Sequence, residues 1–153
     1  MGHTVRVQED DFDLNAEMGK MRTGNPRIGA LVSFVGVVRD LNEGDSVSQM
    51  TLEHYPGMTE KALDAICVEA AQRWALLDTL IIHRVGTLNP SDQIVLVLVA
   101  SAHREEAFKA CHFIMDYLKT RAPFWKKECT PQGARWVDAR ENDNSAAQRW
   151  QAL

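Results

Sequence analysis

Four cations fall within nine residues of the stretch FIMDYLKTRAPFWKK, Phe113 to Lys127: Lys119, Arg121, Lys126 and Lys127. Phe124 and Trp125 sit among them. Cations interleaved with aromatics suit the wall of a pocket for a flat anion. Lysines crowded by other cations can also lose their protons more readily, which frees an amine for base or nucleophile work. A second cationic pair, His103 and Arg104, opens the helix that ends in this stretch. Cations are unfavourable at the positive end of a helix dipole, so a structural role explains them poorly. With the free backbone N–H groups of the first turn they suit a phosphate. Arg39 ends an apolar run just before a Gly-containing turn and reads equally as an anion ligand and as an exposed turn arginine.

The two clusters cannot serve one small ligand within one chain. Sixteen residues of helix at ~1.5 Å rise separate His103 from Lys119 by roughly 24 Å. Either there are two sites, or two copies of the chain bring one helix start beside another's helix end, as a two-fold dimer would do twice.

Other chemistries are poorly represented. His54, His83, His103 and His112 lack paired ligand spacing and His3 is terminal, so no metal is expected. No Gly-rich nucleotide loop is present, and no cofactor is expected. Cys67 and Cys111 fall on or beside apolar helical faces and read as core. Cys129 lies near the cations but has no evident activating group.

These side chains need a scaffold. Thr4–Gln8 alternates as a strand, and Asp13 caps a helix bearing Leu14, Met18 and Met21. Ile28–Val38 reads as a buried strand whose inner Gly29 and Gly36 permit a bulge or close approach. A polar turn centred on Gly44 leads to a strand at Gln49–Tyr55. Thr59 opens a helix with a stripe of Leu63, Ile66, Ala70 and Trp74. Thr79–Leu88 and Gln93–Ser101 read as a hairpin through Asn89-Pro90-Ser91-Asp92. Ser101 caps a long helix running to about Thr120, which Pro123 stops. Its apolar arc holds Ala107, Phe108, Ala110, Cys111, Ile114, Met115, Tyr117 and Leu118, and also takes in His103 and Arg104. Glu105, Lys109, His112 and Asp116 lie opposite and Phe113 on the flank. Gly133–Asp138 forms a last strand and Ser145–Trp150 a short helix. This order predicts one α+β domain over residues 1–153, with a mixed or antiparallel sheet.

Bulk composition sets the outer bounds. The chain has 153 residues, 45% hydrophobic and 25% charged, at a net charge of −4. A basic nucleic-acid footprint is absent, so any anion site is local. No apolar run suits a bilayer, the start has no secretory pattern, and Arg6 breaks the myristoylation pattern. Three widely spaced cysteines form no disulfide framework, so a reducing cytoplasm is the simplest location.

Longer motifs narrow the reading. LEHYPGMTEKAL (Leu52–Leu63), SAHR (Ser101–Arg104) and FIMDYLKTRAPFWKKE (Phe113–Glu128) closely resemble the large, catalytic subunit of molybdopterin synthase. The resemblance runs from about Ile28 to Trp150. It implies an α/β hammerhead type of fold, a sulfurtransferase of molybdenum cofactor biosynthesis, and a large-subunit homodimer carrying a small subunit at each end. The implied reaction converts cyclic pyranopterin monophosphate (precursor Z) to the molybdopterin dithiolene. The sulfur comes from the C-terminal Gly-Gly thiocarboxylate of a small ubiquitin-like carrier. By the same resemblance Lys119 and Lys126 lie at the reaction centre. Arg39, His103 and Arg104 bind the substrate's pterin or phosphate, the last two from the neighbouring subunit. Phe34, Met115 and Arg140 are weaker candidates for the pocket lining. No cysteine need carry sulfur. The competing readings are a non-catalytic adaptor for a ubiquitin-like tail and a phosphate-binding module built on His103 and Arg104.

Overall fold

The computed structural model describes residues 2–42, 45, 46, 48–137 and 146–151, with side chains at 41, 42, 45, 46, 135 and 137 left aside. Two four-stranded sheets form the frame. The first contains β1 (Gly2–Gln8), β2 (Ala30–Val37), β6 (Leu76–Arg84) and β8 (Gln93–Ser101), in the order β1-β6-β8-β2. β1 runs parallel to β6, whereas β8 is antiparallel to both β6 and β2, so this sheet is mixed. The second contains β5 (Gln49–His54), β7 (Gly86–Leu88), β9 (Phe124–Thr130) and β10 (Gly133–Val137), in the antiparallel order β10-β9-β5-β7. β3 (Leu41–Asn42) and β4 (Asp45–Ser46) form a small separate ladder. The expected turn centre at Gly44, like Asp138, Arg140 and Ser145, lies outside the described residues.

Three helices pack on this frame: α1 (Leu14–Thr23), α2 (Met58–Arg73) and α3 (Arg104–Arg121). Asp13 caps α1 as expected, its carboxylate accepting from the Ala16 N–H at 3.0 Å. α1 closes one face of the first sheet over Phe12, Leu80, Ile82, Leu96 and Leu98. α2 and α3 cover the other, where Leu63, Ile66 and Ala70 meet Ile81, Val97, Val99, Ala107 and Ile114. A third cluster, Val38, Met50, Leu52 and Leu88, joins the two sheets.

Several elements differ from the sequence reading. The strand expected over Thr79–Leu88 breaks near Gly86, whose φ of 88° suits glycine, and its last three residues cross to the second sheet. The expected hairpin pairing between the strands survives as β6 against β8. The cationic stretch after Pro123 is itself a strand, β9, at the centre of the second sheet. Ser101 does not cap α3. His103 occupies the cap position, and the buried Ser101 hydroxyl donates to the His103 carbonyl.

The helical wheel of α3 also misplaces residues. Phe113 is wholly buried and Asp116 nearly so, whereas Phe108 is 61% exposed. A single apolar arc holds only while one side of a helix is covered. Here the C-terminal half meets the sheet and α2, and the turn containing Ala147 and Trp150 closes over it. Trp150 sets its edge against Trp74 and Phe113, and its indole N–H donates to the Asp116 carboxylate at 2.6 Å.

The close approach expected at Gly29 is present beside the start of α3. Its N–H donates to the Ser101 carbonyl at 3.0 Å, and a Cβ there would stand 2.2 Å from the Ala102 carbonyl oxygen. Gly29→Ala is therefore expected to cost about 1–3 kcal/mol through overpacking. Urea denaturation of the variant checks this, and an unchanged midpoint would contradict the tight approach.

Candidate functional site

Antiparallel order sorts the candidate residues into two groups. In β2 and β8, Ala30 pairs with Ser101 and Val37 with Gln93. The start of β2 thus lies by the end of β8, where α3 begins. Eight residues of β2 at ~3.4 Å carry the chain about 24 Å to the other end of the sheet, where Arg39 follows. α3 packs back along β8 and β2, and its 18 residues span a similar length. Its last turn, with Lys119, therefore returns toward the Arg39 end. His103 and Arg104 are exposed at the opposite end.

The four cations differ in their surroundings. The Arg121 guanidinium donates to Glu69 at 2.8 Å and lies 3.7 Å above the Tyr117 ring. Lys127 lies 5.6 Å from the Trp136 ring centroid. Both thus have structural work. Lys119 is exposed on the final turn of α3, where a cation suits the helix dipole. Lys126 is half-buried on β9, opposite Leu52 of β5. A tight turn at Ala122–Pro123 joins them, with the Phe124 N–H donating to the Ala122 carbonyl at 2.8 Å.

The remaining candidates divide similarly. Phe34 stands 40% exposed on the edge strand β2, and Met115 is buried on the core side of α3. Arg140 lies outside the described residues. His103 and Arg104 point outward rather than to the core, correcting the wheel. Glu105 and Glu106 share their first turn, so the helix dipole has its acidic partners after all. Glu105 pairs with Lys109 at 3.0 Å, which draws its carboxyl below the usual range.

Cys67 and Cys111 are ill-suited to nucleophilic work. Burial pushes the Cys67 and Cys111 thiols up to about 12, so neither supplies a thiolate at neutral pH. Among the described residues no three His, Cys, Asp or Glu side chains gather as metal ligands. Nor, among them, is any helix long and apolar enough to cross a membrane.

In the sequence His83 shows only its lack of metal-ligand spacing. It is a buried imidazole stacked on Phe124 at 3.8 Å between centroids and an interplanar angle of 17°. Its Nδ1–H donates to the Arg84 carbonyl at 2.8 Å. Burial, assisted by the nearby charge of Lys119, pushes its pKa down to about 4. The one available signal was a histidine inside the apolar run LIIHRV.

Because the unfolded chain titrates this group near 6.5, the folded state binds fewer protons than the unfolded chain as pH falls from 6.5 toward 4. The stabilisation is complete above that window and drains away through it, amounting to about 3 kcal/mol by pH 4. Urea unfolding at pH 7 and pH 4.5 is expected to show this loss, and His83→Phe to reduce it. An equal loss in both proteins would contradict the neutral assignment.

The family model for the MoaE protein matches residues 7–121. A molybdopterin synthase catalytic subunit from Ralstonia nicotianae is 67% identical over 147 residues, 96% of this chain and 84% of that protein. A solved MoaE protein from Burkholderia ambifaria is 60% identical with a TM-score of 0.84, covering 97% of this chain and 98% of its own. A protein–protein complex of subunits 1 and 2 of a molybdopterin-converting factor from Helicobacter pylori shares the fold at 16% identity and a TM-score of 0.72, covering 89% of this chain and 91% of its own. Matched by that model over most of its length, and by catalytic subunits over nearly all of it, the chain belongs to the MoaE protein family and is an enzyme of molybdopterin synthesis.

Proposed function

We propose that the enzyme inserts sulfur into cyclic pyranopterin monophosphate, taking it from the C-terminal thiocarboxylate of a small ubiquitin-like carrier. The carrying observation is the split of cations across α3, one cluster at each end of a rigid helix. Lys119 and Lys126 flank one turn, where an anionic carrier tail and a planar pterin would both find complementary charge. In this reading Lys119 acts as general base or transient acceptor. Lys126 stabilises the thiocarboxylate, or the carboxylate left when sulfur departs. Arg39, at the same end, binds substrate. His103 and Arg104 come from a second copy of the chain, because their own Lys119 is a helix length away. Phe34, Met115 and Arg140 are the weaker candidates for further contacts to the substrate.

Two observations support the assembly. β2 is an edge strand of its sheet, and its Phe34 and Val37 are both exposed. The Helicobacter pylori relative was solved as a complex of two subunits, which fits a small partner here. The buried, fully protonated Cys67 and Cys111 agree with sulfur arriving on that partner.

The reading is tested by mixing the chain with thiocarboxylated carrier and the pterin substrate and measuring dithiolene product. Lys119→Ala is expected to abolish product while leaving carrier binding intact, and full turnover would remove its catalytic role. An adaptor would bind carrier and yield no product even as wild type. Subunit mixing tests the shared site. Lys119→Ala and Arg104→Ala are each inactive alone, but equal mixing restores about a quarter of wild-type turnover if each site draws on both chains. No recovery on mixing, with subunit exchange verified, would place the site within one chain. Cys129→Ser is expected to retain turnover, and loss of transfer would give that thiol a role.

A further inference from the structure

We propose that His83 is a positioning residue for Lys119: its neutral ring braces Phe124 in the turn between the two lysines, and its Nε2 lone pair accepts from the lysine ammonium. The proposal deepens the reading above and rests on Lys119 acting at the reaction centre.

Position comes first. His83 pairs with Val95 near the beginning of β8, at the sheet end where Arg39 emerges and α3 finishes. β6 thereby delivers the ring to the Lys119 end of the molecule. The lysine charge is felt there, since Lys119 is the foremost charged neighbour acting on His83.

The tautomer follows from the hydrogen bond. A carbonyl oxygen only accepts, so the proton is on Nδ1, which donates to Arg84. Burial keeps the ring from taking a second proton. Nε2 therefore carries a lone pair and no hydrogen. An ammonium has three donors and no acceptor, so Lys119 is the chemical complement of that nitrogen. His54 is a weaker claimant. Its Nδ1–H reaches Thr59 Oγ1 at 3.2 Å, while that hydroxyl spends its own hydrogen on the Tyr55 carbonyl at 2.9 Å. Its second nitrogen would then also be an acceptor, not a donor.

The stack supplies the second half. Phe124 is held by His83 on its face and meets His54 at 6.2 Å and a tilt of 34°. It directly follows Pro123, between Lys119 and Lys126 in sequence. A ring fixed on both sides limits how far that turn can move, and so fixes the spacing of the two lysines.

The test uses the full chain with its thiocarboxylated carrier and the pterin substrate. His83→Phe keeps a flat ring against Phe124 and deletes Nε2. It is expected to lower kcat about tenfold or more, with KM for the pterin within about twofold. His83→Gln places a polar atom near the Nε2 position and is expected to recover most of that loss. Pure packing predicts the reverse order, Phe active and Gln impaired, and that outcome overturns the proposal. A second measurement is independent of turnover. The ring ¹⁵N resonances of His83 are compared between wild type and Lys119→Ala. The Nε2 signal is expected to move toward that of an unbonded imidazole nitrogen, and an unchanged signal overturns the contact. If the signal moves while Lys119→Ala retains full turnover, the contact stands and the catalytic role of Lys119 falls.

Discussion

A rigid helix of 18 residues holds its ends apart, and the placement of every candidate residue depends on this. α3 is buried along its C-terminal half and lies back along β8 and β2. Its direction is therefore set by the sheet. Lys119 shares one end of the molecule with Arg39 and His83, while His103 and Arg104 occupy the other. No side-chain rotation spans roughly 24 Å, so a site needing both groups requires a second chain.

The anchoring of that helix is aromatic and electrostatic together. Phe113 receives ring edges from Trp74, Tyr117 and Trp150 at 4.5–5.6 Å, within the range of favourable aromatic pairs. Asp116 is a nearly buried carboxylate and would be costly alone. It accepts from the Trp150 indole at 2.6 Å and faces Arg149 at 3.4 Å and His112 at 3.6 Å. These contacts bind the turn at residues 146–151 to α3, so the distant C-terminal segment helps fix the lysine-bearing end. Losing one partner would leave the carboxylate under-compensated, a larger penalty than the pair's net worth.

The chemistry of the cationic end depends on what surrounds the cations. Of four positive side chains in one stretch, Arg121 and Lys127 are engaged with Glu69, Tyr117 and Trp136. The buried imidazole beside Lys119 stays neutral, so it adds no further positive charge. An anion site can thus exist in a chain of net charge −4, because the positive charge is local.

The sequence by itself determined where the cations fall along α3 and the distance between its two ends. Cation spacing, the Pro123 stop and the fixed rise of a helix are local properties, so both ends of α3 and the choice between two sites and two copies of the chain could be read directly. The mixed α+β character was legible for the same reason. Tertiary structure decided the rest. β9 is a strand because β5 and β10 lie on either side, which its sequence of lysines and aromatics did not announce. Phe113 and Asp116 are buried because residues more than thirty positions away fold over them, whereas periodicity describes only one covered face. His83 looked like one more unpaired histidine until the sheet set it under Phe124 and within the field of Lys119. Burial and neighbouring charge depend on long-range packing, and those are the quantities that fix its proton.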